Sequence, residues 1–231
     1  LSSIIYPDDL PIAKVMGLNP TVYSKPLHIH VIEKFSRPTE TFITNSIEAL
    51  SSRLQEANTL VICNSITEYA SQRYSGALLT SANLAFEFSD LTEDQVASGF
   101  RHKYIVGAIF HFATVALKFS GLLRFASKRD FAIIAAHGID VRDLEKSRQL
   151  RSPLVELVNR NPKVALTTPS EFLRGKLTAI GFKSDSVRVV GNAVRPWLCE
   201  VSPSPSGLHI LHVARPVKWK GHEVLFRALE E

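Results

Sequence analysis

The chain has 231 residues, 45% hydrophobic and 21% charged, enough apolar material for one full domain and part of a second. The formal charge of +5 fits either a solvated basic surface or affinity for an anion such as a nucleotide diphosphate, a lipid phosphate or an acidic membrane. Zinc-finger spacing, an RNP-like aromatic motif and a dense Arg/Lys stripe are all missing from the sequence, which argues against nucleic acid. The two cysteines, Cys63 and Cys199, make neither a disulfide framework nor a metal site, so reduced thiols, no metal and a cytoplasmic setting are expected. Leu1 to Ala13 lacks the basic-then-apolar pattern of a signal peptide.

Leu27–Phe35 (LHIHVIEKF) reads as a strand closed by a Ser-Arg-Pro turn. Thr39 can cap the following helix, with Glu40 in its first turn. Phe42, Ile43, Ile47, Leu50 and Leu54 fall on one helical face. Thr59–Cys63 is a second strand, with a short strand near Ala77–Thr80 and a polar helix over Thr92–Arg101 to follow. Tyr104–Phe125 is apolar for about the length of a membrane span but carries His111, Lys118 and Arg124. It reads better as a buried strand, Tyr104–Phe110, and a helix, Ala113–Phe125.

Phe131–Ala136 is the next strand, ending at His137-Gly138. A charged helical stretch, Asp140–Arg160, is interrupted at Pro153. Lys163–Thr167 is a strand, Ser170–Ile180 a helix stopped by Gly181, and Val187–Val190 a last strand of this domain. Apolar strands alternating with helices predict a parallel, doubly wound α/β domain, whose ligand sites lie at the carboxyl ends of the strands. Arg195–Gly207 is rich in Pro and Ser and reads as a linker. Leu208–Ala214 then reads as a buried strand and Gly221–Glu231 as a helix, the opening of a second domain.

No G-x-G, G-x-x-x-x-G-K-[ST] or G-x-S-x-G occurs, which argues against a dehydrogenase, a P-loop kinase and an α/β-hydrolase. Three segments could carry chemistry. The turn with Thr39, Glu40 and Thr41 places hydroxyls at a helix N-terminus, which suits an anion or sugar hydroxyls and equally suits an ordinary capped turn. His111 and the segment His137-Gly138-Ile139-Asp140 each follow a buried strand, where a histidine is either a ligand contact or a satisfied strand-end residue. Arg215, Lys220 and Gly221 put two cations before a helix N-terminus, an arrangement suited to a leaving diphosphate and also to a basic surface loop.

Taken in order, these segments resemble the group 1 retaining glycosyltransferases of the GT-B fold, and most of all the bacterial exopolysaccharide branch of colanic-acid type. The resemblance rests on Phe35-Ser36-Arg37-Pro38-Thr39-Glu40-Thr41-Phe42-Ile43, His111-Phe112, His137-Gly138-Ile139-Asp140, Ser170-Glu171 with Leu177 and Gly181, and Val213-Ala214-Arg215 through Lys220-Gly221. It spans residues 27 to 231. Asn192-Ala193-Val194-Arg195 departs from the family's N-G-V-D, and the later E-x7-E segment has no counterpart.

The resemblance implies a Rossmann-like acceptor domain over residues 26–195, a linker over 196–207, and the first strand and helix of a donor-binding domain, truncated, over 208–231. It implies transfer of a sugar from a nucleotide-sugar donor to a glycan or lipid-linked acceptor in polysaccharide biosynthesis, without a cofactor or metal. His137 would sit near the reacting centre. Arg215, Lys220 and Gly221 would hold the diphosphate. Thr39, Glu40, Thr41, His111, Gly138 and Asp140 would line the acceptor side or cleft. The cytoplasmic face of an anionic membrane is the implied setting. The rival reading is a non-catalytic remnant that binds without transferring, and a third is an epimerase or phosphorylase of the same fold. Residues 1–231 alone are expected to show no transfer.

Overall fold

The computed structural model describes residues 26–35, 41–54, 56–66, 79–81, 105–192, 210–214 and 216–230. The chain divides into two units, Leu1–Val194 and Arg195–Glu231.

In the first unit, β1 (Leu27–Phe35), β2 (Asn58–Ile66), β3 (Leu79–Ser81), β4 (Ile105–His111), β5 (Ala132–Ala135), β6 (Val164–Thr168) and β7 (Val187–Val189) form one sheet in the order β3-β2-β1-β4-β5-β6-β7. Every neighbouring pair is parallel. The chain builds outward from β1 on one side, then returns to β4 on the other. The strand order therefore reverses between β1 and β4, the point at which open α/β sheets leave a crevice for ligands.

Successive side chains alternate between the two faces of this sheet. One face carries Ile29, Val31, Ala108, Phe110, Ile134 and Leu166, all fully or almost fully buried. Helices α2 (Ala113–Lys118), α3 (Ser120–Arg129), α4 (Ile139–Lys146), α5 (Arg148–Arg160) and α6 (Glu171–Ala179) supply the rest of that core. Burying a single large member such as Phe110 contributes about 2–3 kcal/mol. The other face carries His30, Ile32, Ile109, His111, Ile133 and Ala135. There the helix between β1 and β2, α1 (Thr41–Arg53), packs Ile43 and Ile47 against Ile32, Val61 and Cys63. Cys63 is fully buried in that cluster, and Cys199 lies outside the described residues.

Several elements differ from expectation. The helix expected over Ala113–Phe125 is two helices, because the backbone leaves helical angles at Phe119 (φ −102°, ψ 39°). The Phe119 ring is buried at that corner, and each short helix lays its own apolar face on the sheet. The break in the next helical stretch falls at Ser147, not at Pro153. Ser147 is extended, closes α4, and caps α5 by accepting from Leu150 N at 3.3 Å. Pro153 lies inside α5 on its exposed side. The hydrogen bond it removes would run to the carbonyl of Gln149, itself exposed, where water can take it. Ser170 caps α6 through Leu173 N, and Gly181 (φ 113°) ends that segment.

The described part of the apolar Tyr104–Phe125 stretch, from Ile105 on, is thus a strand and two short helices, and Tyr104 lies outside the described residues. Among the described residues no helix is long and apolar enough to cross a membrane. The helix expected over Thr92–Arg101 and the linker over 196–207 lie outside the described residues.

In the second unit α7 (His222–Glu230) forms at the expected place. The strand expected over Leu208–Ala214 does not: residues 210–214 have no regular structure, and Ile210, Leu211 and Val213 are exposed. An apolar run becomes a strand only when another strand takes its backbone hydrogen bonds, and no described residue pairs with this one.

Candidate functional site

Beside the strand-order reversal lies a cavity of about 260 Å3, roughly an order of magnitude more than one water needs. Its floor is the α1-bearing face of the sheet: His30 on β1, Ile109 and His111 on β4, Ile133 and Ala135 on β5, and Thr167 on β6. Register explains the grouping, since His30 stands opposite Ile109, Ile109 opposite Ile133, and His111 opposite Ala135. Phe42, Ile43, Ser46 and Leu50 of α1 form one wall. His137, Thr168 and Pro169, with Val190, Gly191 and Asn192, form the rim at and beyond the strand ends.

Three imidazoles lie side by side, His30 and His111 on the floor and His137 at the rim. His30 Nδ1 is 3.0 Å from His111 Nε2, and their planes are 12° apart. His111 and His137 are 10° from parallel at a centroid distance of 6.0 Å. His28, on the same face one step back along β1, meets the His30 ring edge-on at 4.6 Å. The His137 ring also touches Phe42 (4.7 Å) and Phe112 (5.0 Å). Among the described residues no group of three or more His, Cys, Asp or Glu is placed to hold a metal ion.

The loop after β5 is fixed by Asp140, which is 1% exposed. Its Oδ1 accepts from His137 N (3.0 Å) and Gly138 N (2.9 Å), and its Oδ2 accepts from Ala113 N (2.8 Å). The carboxylate thus holds the His137 backbone and caps α2, whose own N-cap, Phe112, supplies no side-chain bond. Two residues here occupy the left-handed half of backbone space, Gly138 at φ 116° and Phe112 at φ 78°. For a phenylalanine this is strained by about 1–3 kcal/mol. The local hydrogen bonds of Ala113 to Asp140 and of Phe112 N to Ala135 O (2.8 Å) hold it there.

Burial disfavours the charged form of all four rings. It lowers His28 and His137, with the Asp140 carboxylate opposing the shift at His137. Burial, reinforced by repulsion from His111, puts His30 well below 6.5. Burial, reinforced by His137 and His28, puts His111 at about 3. The folded state therefore binds fewer protons than the unfolded chain between pH 6.5 and 3. The stability linked to His111 is fully present above pH 6.5 and is lost progressively as pH falls toward 3. At pH 5 the loss from His111 alone should be about 2 kcal/mol, and His30 acts in the same direction. Urea midpoints at pH 7 and 5 measure this, with His30→Leu/His111→Leu as control. An equal drop in the control would place the acid sensitivity elsewhere.

Of the residues singled out from sequence, His111 and His137 line this cavity, while Gly138 and Asp140 lie behind it and position the loop. Thr41 opens α1, with its side chain outside the described residues. Thr39, Glu40 and Arg215 lie outside them altogether. Lys220, exposed, ends a short 3-10 turn in the second unit, and Gly221 follows at φ 75°. Sequence reasoning missed His30, Thr168, Asn192 and the aromatic clamp of Phe42 and Phe112. The signal for His30 was present in L-H-I-H-V, where two histidines at alternate positions of an apolar strand share one face.

No family model and no curated protein matches the chain. Among solved structures it is similar to the apo form of the lipopolysaccharide outer core galactosyltransferase WaaB, at 13% identity and a TM-score of 0.47. The likeness covers 73% of this chain and 46% of that one, so this chain spans under half of its length. At that distance the likeness carries no statement about activity.

Proposed function

We propose that the chain is the front part of a retaining glycosyltransferase that moves a sugar from a nucleotide-sugar to a glycan or lipid-linked acceptor in polysaccharide biosynthesis. One observation carries the reading. Two separate histidine motifs, His111-Phe112 and His137-Gly138-Ile139-Asp140, arrive at a single cavity beside the strand-order reversal, bordered by Phe42 and Ile43 of a third motif. The first unit would then hold the acceptor, with His137 facing the reacting centre. The Arg215–Gly221 segment would belong to the donor side and hold the leaving diphosphate, with no metal or cofactor required. A panel of nucleotide-sugars offered to the full-length gene product, with polyprenyl-linked acceptors, tests this. Transfer from one of them supports the reading. A folded product that transfers from none would leave the binding-only remnant instead.

The proposed setting is the cytoplasmic face of an anionic membrane. Residues 113–129, which form α2 and α3, carry Lys118, Arg124, Lys128 and Arg129 and no acidic residue. Such a stretch is drawn to a negative leaflet by about 1 kcal/mol per cation close to the surface. The chain should sediment with vesicles containing phosphatidylglycerol and not with pure phosphatidylcholine. Glutamate in place of Arg124 and Arg129 should abolish this. Equal sedimentation with both vesicle types would refute the setting.

A further inference from the structure

A second hollow, of about 540 Å3, lies on the helix-covered face of the sheet opposite α1, between α2–α3 and α5. It falls within residues 105–192, which are described without a break. Ala116, Leu117 and Leu123 line it from one side and Leu154 and Leu157 from the other. Ala116, Leu123 and Leu154 belong to the buried core, and Leu117 and Leu157 are partly buried against it. The hollow is therefore a groove with an apolar floor and apolar walls. Ser120, Arg124, Glu156 and Arg160, all exposed, stand at its rim.

An occupant of such a groove gains by being apolar where it lies against the leucines. An extended peptide would bring N–H and C=O groups that need partners, and these side chains offer none. An alkyl chain needs none and gains with every methylene withdrawn from water. Charge decides the head of the occupant. α2 and α3 carry four cations and no acid, and α5 carries three cations and one acid, Glu156. The chain's net charge of +5 is thus collected on the helices that border the groove. Among the described residues the Arg124 guanidinium has no hydrogen-bond or ion-pair partner. Arg160 pairs with Glu156 at 2.6 Å, one turn away on the same exposed helix face, and an exposed pair of this kind is held weakly enough to exchange partners.

We infer that this groove seats a single phospholipid, its alkyl chain against the leucines and its phosphate at Arg124, with Arg160 turning from Glu156 to join it. The inference rests on the membrane setting proposed above and adds a discrete lipid site to it. A basic surface draws a leaflet by charge alone, whereas a seat selects the chain as well as the charge.

The test is an NMR titration of the whole chain, 13C-labelled at leucine methyls and 15N-labelled at arginine, with decyl phosphate below its micelle-forming concentration. Hexyl phosphate, decyl maltoside and inorganic phosphate are the comparisons. The expected result is saturable binding of decyl phosphate that moves the methyl resonances of Leu117 and Leu157 and the Nε resonance of Arg124. Hexyl phosphate should bind at least about tenfold more weakly, because its chain withdraws fewer methylenes from water. Decyl maltoside, which lacks the charge, and decyl phosphate on Arg124→Gln should each bind about fivefold more weakly or worse. Ser120→Trp, which fills the mouth of the groove, should abolish the leucine shifts. Affinity that ignores chain length or head charge, binding that leaves both leucines unmoved or survives both substitutions, or no binding of decyl phosphate would each overturn the seat. Vesicle sedimentation is measured separately: a chain that sediments with anionic vesicles but shows no chain-length dependence keeps the membrane setting and loses the seat.

Discussion

Asp140→Ala should destabilise the chain by about 3–6 kcal/mol, the largest loss expected from any single substitution around the cavity. Three backbone N–H groups, of Ala113, His137 and Gly138, end on this one buried carboxylate. Each unpaired buried donor costs about 1–3 kcal/mol, and a charged acceptor makes each bond stronger than a neutral one. Asp140→Asn should cost about 2–3 kcal/mol, because one oxygen becomes an NH2 group that faces an N–H. Urea unfolding of both variants measures this. A loss below about 1 kcal/mol for the alanine variant would show that water takes over the three donors. The loop carrying His137 hangs on the same carboxylate, so ligand binding in the cavity should weaken in the asparagine variant even where it folds.

The strands of the first unit were legible because a parallel sheet covered on both faces is written as apolar runs, such as Thr59-Leu-Val-Ile-Cys63 and Phe131-Ala-Ile-Ile-Ala-Ala136. His111 and His137 were legible because they stand at strand ends. The break at Phe119 was not, because apolar residues continue through it and the corner is set by how two helices seat on one sheet. Pro153 attracted the break that belongs to Ser147. A proline outside the packed face costs one hydrogen bond, whereas a serine that caps can end one helix and start the next. His30 escaped notice because its meaning depends on a ring 81 residues away. Leu208–Ala214 was misread because periodicity describes a strand's faces and not whether a neighbour exists.

The second large effect concerns turnover and rests on the proposed donor role of Arg215. Removing it in the full-length enzyme should lower kcat by about 10²–10³, roughly 3–4 kcal/mol, as for the loss of one preorganised electrostatic contact. The guanidinium can hold two diphosphate oxygens at once, whereas Lys220 offers a compact point charge. Stabilisation from Arg215 grows as the diphosphate leaves, so kcat should fall more than donor binding weakens. Arg215→Lys should recover only part of the rate, because the fork is lost. Steady-state kinetics of the two variants, with folding verified, provide the measurement. Near-normal kcat and kcat/KM in Arg215→Ala would reduce this segment to a basic surface turn.

The placement of β1 also constrains how the chain comes off the ribosome. Leu27 pairs with Asn58 on one side and with Ile105 on the other. The central strand is therefore made before β4 and waits for it before both its edges are covered. During that interval a nine-residue, mostly apolar strand keeps one open edge, the kind of segment that recruits strands from other nascent chains. His28 and His30, the second of which later lines the cavity, break the apolar run of this strand at alternate positions and make it less adhesive while it waits. Expression at lower temperature, with slower synthesis and weaker hydrophobic association, should raise the soluble yield of this chain, and replacing both histidines by leucine should reduce it.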